Sequence, residues 1–208
     1  METEEVNPVL RWARRTMAGQ GCAPLERGYR YQHGVRVGRI AVWLGRALGL
    51  DEAMLGRLYV AGVLHDVGKS GYRGKEPHGP RGGRIVRTVL RRWLAAEERE
   101  EIARMVEHHY ARPRSRWYAG KEKPQWPDGI LIIQDADVLD HHGAMYFASC
   151  LRYAQNEDIP AEQFFRTFWN SPEERVERTE AMRSLNFTAS RTELRRRFDE
   201  ARRLMRKV

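Results

Sequence analysis

Apolar residues recur every three or four positions along nearly the whole chain, and no stretch sustains the period-two alternation of a strand. That pattern predicts an all-α protein, a compact helical bundle without a parallel sheet. The 208 residues, 41% of them hydrophobic, suit one domain or one domain with a small appendage, since domains commonly run to roughly 100–200 residues. At this size folding buries on the order of 70% of the unfolded chain's surface, so no staple is needed and a bound metal is expected to be functional. Cys22 and Cys150 stand far apart and form no C-x-x-C pair, which excludes a disulfide framework and a zinc ribbon and makes a reducing cytoplasm the expected compartment. Residues 1–6 carry three glutamates where a signal peptide has basic residues, and no apolar run reaches the roughly 18 residues of a membrane span.

Local signals place the helices. Asn7-Pro8 reads as an N-cap with proline at the first helical position, opening a helix through Met17, and a glycine-rich linker ends near Gly28. A second helix is expected from Tyr29 to Leu48, with Val37, Ile40, Ala41, Leu44 and Leu48 on its apolar stripe and His33 one turn earlier on the same side. Asp51 caps a third that leads to His65-Asp66 and is ended by Gly68. Residues 68–77 form a polar loop, and further helices run from about His78 to Leu94 and from about Ala96 to Tyr110. Residues 111–127 make a long basic and aromatic connection holding Trp117, Tyr118 and Trp126. Asp128 caps a helix that begins Ile130-Leu131-Ile132-Ile133, apolar all round and therefore central, and places Asp137, Asp140 and His141 inside it. Ser171-Pro172-Glu173-Glu174 is a capping box, and a last helix runs from about Ser190 to Arg206.

Lysine plus arginine (37) exceeds aspartate plus glutamate (28), which favours polyanionic partners. Much of the excess sits after Arg191, where a solvated helix face explains it equally well.

All seven histidines fall between residues 33 and 142. Imidazole buried beside carboxylate is costly unless the groups share a proton, a hydrogen bond or a metal, and a metal accounts for most of them at once. His65-Asp66 offers nitrogen and oxygen on adjacent residues, while His33 and Asp137 lie on the inward sides of two other helices. Two histidines and two aspartates suit Mn, Fe, Co, Ni or Zn better than calcium, and the absence of cysteine ligands argues against structural zinc.

Taken in order, His33, then His65-Asp66 in the run from Gly62 to Lys69, then Asp137 in the run from Gln134 to Asp140, resembles the signature of the HD superfamily of metal-dependent phosphohydrolases. The similarity spans about residues 25–150, and the C-terminal helices resemble the tail of small bacterial members. The resemblance implies an N-terminal helix and linker over 1–24, a metal-binding helical core over 25–150, and C-terminal helices over 151–208 in the same globular unit. It also implies one divalent metal held by His33, His65, Asp66 and Asp137. Members with two metals use additional histidines, and His78, His108 and His109 stand in the corresponding order, offering a second metal site or a substrate contact. The hallmark of the cyclic-dinucleotide phosphodiesterase branch is missing, since Tyr110-Ala111-Arg112-Pro113 follows the double histidine.

The activity implied is hydrolysis of a nucleotide or another small phosphoester or phosphoanhydride. Asp66 is the expected catalytic carboxylate, orienting or deprotonating water. Lys69 is the expected catalytic cation, and Lys69, Arg73, Lys75 and Arg81 are the phosphate-binding candidates. Two other classes remain open: a dinuclear-iron oxygenase on the same fold, and a non-enzymatic nucleic-acid or polyanion-binding module. The partner expected is a small phosphorylated substrate, nucleotide first and nucleic acid second, with no membrane partner; six tryptophans offer material for a homo-oligomer interface.

Overall fold

The computed structural model describes residues 7–18, 28–71, 77–112, 125–168 and 171–207. Among them are ten α-helices and no strand: α1 Pro8–Ala18, α2 Tyr29–Ala47, α3 Glu52–Leu64, α4 His78–Val89, α5 Ala96–His108, α6 Asp128–Asp140, α7 Ala144–Asn156, α8 Ala161–Phe168, α9 Pro172–Ser184 and α10 Thr188–Met205. Short 3-10 turns cover Val67–Lys69 and Leu90–Arg92. No helix among the described residues is long and apolar enough to cross a membrane.

The helix starts follow the local chemistry. The Asn7 side chain accepts from the N–H groups of Val9 (2.9 Å) and Leu10, and Asp51 accepts from Met54 N–H at 2.8 Å. Such caps contribute about 1 kcal/mol each by satisfying amides that the first turn leaves free. Ser171 Oγ accepts from Glu174 N–H at 3.1 Å. The other half of the expected capping box is replaced: Ser171 N–H donates to Phe168 O at 2.9 Å, and Glu174, fully buried, pairs with Arg178 at 2.7 Å. Asp128 is the first helical residue rather than the cap, because the Pro127 carbonyl already accepts from Ile130 N–H. Leu48, expected on the α2 stripe, falls at the C-cap and is exposed, whereas Val37, Ala41 and Leu44 are buried.

The chain divides into two compact units, one formed by the residues up to Arg112 with Trp126–Asp137, the other including Val138–Val208. The division between these units lies inside α6, whose first part packs with α3 and α5: Gly129 abuts Met54 and Met105, and Gln134 holds the end of α5. In the first unit α1 packs on α2 and α3, α2 packs along α3, and α4 packs along α5. Leu44, Leu58, Leu64, Val86, Leu90, Ile102, Ile132 and Ile133 are among its fully buried side chains. Burying each contributes roughly 1.5–3 kcal/mol. In the second unit α7 packs on α8 and α10 around Tyr146, Cys150, Phe164, Phe165, Ala201 and Met205.

Two close approaches position the residues discussed next. A Cβ on Gly62 would lie 2.5 Å from Gly38 Cα, and one on Gly34 would lie 2.4 Å from Val63 O, so α2 and α3 touch backbone to backbone. Gly68 is not a left-handed C-cap. It is required because the start of α4 rests on it, so that a Cβ there would lie 1.9 Å from His78 O.

Candidate metal centre

The first unit gathers five chain segments onto one buried point. α2 supplies His33, the turn after α3 supplies His65 and Asp66, the start of α4 supplies His78, the residue after α5 supplies His109, and α6 supplies Asp137. His33, His65, Asp66, His109 and Asp137 are all buried, and His78 is half-buried. One ligand atom from each of His33, His65 and Asp66 lies within 4.8 Å of the others, and the same holds for Asp66, His78 and His109. Asp66 belongs to both sets.

Imidazole orientation follows from the backbone. His65 Nδ1 lies 2.8 Å from Gly62 O and His109 Nδ1 lies 2.6 Å from Val106 O. A carbonyl only accepts, so both Nδ1 atoms carry the proton and both Nε2 atoms present a lone pair. Those Nε2 atoms face further imidazoles, His65 to His33 Nε2 at 3.1 Å and His109 to His78 Nε2 at 3.0 Å. Asp137 Oδ1 lies 3.3 Å from His33 Nε2 and 3.6 Å from His65 Nε2. Asp66 Oδ1 lies 3.5, 3.7 and 3.8 Å from Nε2 of His78, His109 and His65, and it is buried with no hydrogen-bond partner.

The protonation states suit a cation. Burial pushes His65 down to about 4, against the raising effect of Asp66 and Asp137. Burial, then His109 and Lys69, push His78 down to about 4. Burial works to raise the Asp66 carboxyl, but His65, His109 and the Lys69 ammonium outweigh it and hold the group well below the usual carboxylate range. Near neutral pH the cluster therefore offers neutral His65 and His78 beside an ionised Asp66, the states in which such groups bind a metal.

The remaining candidates take different places. Lys69 Nζ pairs with Asp66 Oδ2 at 2.7 Å and is partly exposed. Arg81 donates to the carbonyls of Gly68 and Ser70 (3.0 Å to the latter), bracing the turn after Asp66. His108 is brought not to the cluster but onto Trp126, ring to ring at 4.2 Å, and burial lowers its pKa. Arg73, Lys75, Trp117 and Tyr118 lie outside the described residues. Of the C-terminal cations, Arg191 donates to Leu185 O, and Arg196 and Arg197 pair with Glu193. An open cavity of about 440 Å³, bordered by Met54, Glu100, Glu101, Met105 and Ile130, shares no residue with the cluster.

A family model described as HD domain matches residues 30–141, more than half of the chain and all six cluster residues. The chain belongs to the HD domain family. Membership places it in a family of metal-dependent hydrolases that bind divalent ions, and the mixed histidine and aspartate cluster fits that chemistry. The crystal structure of a predicted HD superfamily hydrolase from an uncultured Thermotogales bacterium shares the fold of this HD protein, with a TM-score of 0.61. The two are 17% identical, and the similarity covers 98% of this chain and 92% of that one. No curated protein matches the chain.

Sequence reasoning missed two residues of this HD site. Arg112 donates to Asp137 Oδ2 at 2.5 Å, and Gln134, fully buried, donates to His108 O and Ala111 O. Position 134 does carry a signal, an amide side chain one turn before Asp137 that directly follows the apolar run Ile130-Leu131-Ile132-Ile133.

Proposed function

We propose that this HD protein is a divalent-metal-dependent phosphohydrolase acting on a nucleotide or another small phosphoester or phosphoanhydride in the cytoplasm. The observation that carries this reading is Asp66 Oδ1, a buried oxygen without a hydrogen-bond donor, faced by three Nε2 atoms. An ionised oxygen in such a place is costly unless a cation completes its surroundings.

His33, His65, Asp66 and Asp137 would hold one ion, and Asp66, His78 and His109 offer a second set. Mn, Fe, Co, Ni and Zn all suit these donors. When bound, such an ion polarises a phosphoryl oxygen and lowers the pKa of water. The chain's own groups do the rest. The Gly62 and Val106 carbonyls fix the imidazole tautomers, so no reorganisation is needed at the moment of reaction. Asp66 is the carboxylate placed to orient a water or take its proton. The Lys69 ammonium, 2.7 Å from Asp66 Oδ2 and partly exposed, is the cation placed to meet a phosphate oxygen.

The test uses protein purified without chelator, reconstituted with each of the five metals and offered a broad nucleotide and phosphoester panel. Release of phosphate or pyrophosphate that disappears in Asp66→Ala is expected, and silence across the panel with every metal refutes the proposal. The sharing of Asp66 between two ligand sets favours, as a second reading, a dinuclear iron oxygenase. Oxygen consumption with a mixed-valent iron signal supports that reading, and a colourless, Mn-active hydrolase rejects it.

A further inference from the structure

The two carboxylates of the cluster divide their oxygens in the same way. Asp66 turns Oδ1 toward the imidazoles while Oδ2 pairs with Lys69 at 2.7 Å. Asp137 turns Oδ1 toward His33 and His65 while Oδ2 receives Arg112 at 2.5 Å. Lys69 is one turn from its partner, but Arg112 comes from beyond α5, 25 positions before Asp137 in sequence.

Several contacts hold Arg112 in that place. Gln134, one turn before Asp137 on α6, donates to His108 O at 3.0 Å and to Ala111 O at 3.2 Å. The Trp126 indole N–H donates to Ala111 O at 3.2 Å, and the Trp126 ring lies on His108. α6 therefore fixes the turn from which Arg112 reaches back to an aspartate of α6 itself.

We propose that Arg112 is a positioning residue of the metal centre: it grips Asp137 by Oδ2 so that Oδ1 faces the imidazoles, and Gln134 holds Arg112 in place to do so. The proposal rests on the reading of Asp137 as a ligand. The contact is one charge-assisted hydrogen bond from a single guanidinium nitrogen, whose N–H lies in the rigid guanidinium plane, whereas a lysine ammonium supplies the charge from a flexible point donor. Partners of this kind typically matter by about 10–100-fold in metal affinity. A purely electrostatic role predicts the opposite sign, since deleting a cation beside the site would tighten binding of a second cation.

The experiment titrates chelator-stripped wild type, Arg112→Ala, Arg112→Lys and Gln134→Leu with Mn(II) and with Zn(II), without substrate. Bound metal is followed by equilibrium dialysis, and circular dichroism and thermal melts report the fold. Arg112→Ala is expected to bind about 10–100-fold more weakly, Arg112→Lys to fall between it and wild type, and Gln134→Leu to weaken binding. Adding Gln134→Leu to Arg112→Ala costs little further, because both act through one side chain. Equal or tighter binding by folded Arg112→Ala overturns the proposal alone. A wild type that takes up neither ion overturns the ligand reading and this proposal with it. If Arg112→Ala does not fold, Arg112→Lys and Gln134→Leu decide, and wild-type affinity in both overturns the proposal.

Discussion

Two glycines of α3 should respond to the same substitution with opposite signs. Gly56 is exposed, with nothing within 4 Å of the position a Cβ would take, so Gly56→Ala adds only helix propensity. It should stabilise by about 0.5–1 kcal/mol. At Gly62 the same Cβ would stand 2.5 Å from Gly38 Cα and 2.6 Å from Gly38 N. Carbon atoms rest at about 3.5–4.0 Å, so α2 and α3 must part by roughly 1 Å. The obstacle is main chain, so no rotamer change relieves it, and overpacking of this kind costs about 1–3 kcal/mol. The two variants should therefore differ by about 1.5–4 kcal/mol, on the order of 1 M in urea midpoint for a typical urea dependence. Urea unfolding of metal-free protein, followed by circular dichroism, measures both. Midpoints that move together, or a Gly62→Ala protein as stable as wild type, would refute the backbone contact between these helices.

Three further outcomes are expected. His65 has a lower pKa folded, about 4, than unfolded, so the unfolded chain takes up the proton first; its contribution is complete above about pH 6.5 and is lost as pH falls toward 4, by about 3 kcal/mol at 1.36 per unit. Urea midpoints of metal-free protein between pH 7 and 4.5 should show that slope, and a parallel decline in His65→Asn would assign it elsewhere. Arg81→Ala leaves the carbonyls of Gly68 and Ser70 without their charged donor and should cost about 1.5–3 kcal/mol, with lower metal content by elemental analysis; unchanged stability would remove Arg81 as the brace of that turn. Ser171→Ala should lower thermal stability by the equivalent of about 1 kcal/mol, whereas Ser171→Asp should retain it; an alanine variant with wild-type melting would mean that this cap contributes nothing.

The all-α reading was legible because caps and apolar periodicity are local, as Asn7, Asp51 and Ser171 show. His33, His65, Asp66 and Asp137 were legible as a set because their order forms a motif, and the structure gathers them. His108 and His109 illustrate the limit. Position 109 follows Met105 by four and Val106 by three, so it suits the apolar stripe as well as a second metal site or substrate contact, and His108 was offered beside it for the same role. That stripe faces the interior where the other cluster residues converge, so His109 enters the cluster, and His108, one position earlier, faces Trp126. The hold of Arg81 on the Gly68 and Ser70 carbonyls was not legible, because sequence does not reveal which backbone carbonyls a 3-10 turn leaves in need of donors. Arg112 carried no local signal, since its partner lies on another helix.

Glycine accompanies the cluster residues for a physical reason. Gly34 follows His33, the Gly62 carbonyl accepts the hydrogen bond from His65 Nδ1–H, Gly68 receives the main chain of His78, and Gly79 lies where a Cβ would meet Glu107 O at 2.4 Å. At each place main chain rests on main chain, so the position of the cluster residue's backbone is set by helix packing. The imidazole pairs, at 3.0 and 3.1 Å between Nε2 atoms, are held there by the contacts around them as well as by each other. The backbone seams, the carbonyls on Nδ1 and the Lys69 and Arg112 pairs act together in that role. A methyl group added at a seam glycine would meet main chain that no rotamer change can move, so these glycines couple the packing of the helices to the geometry of the cluster.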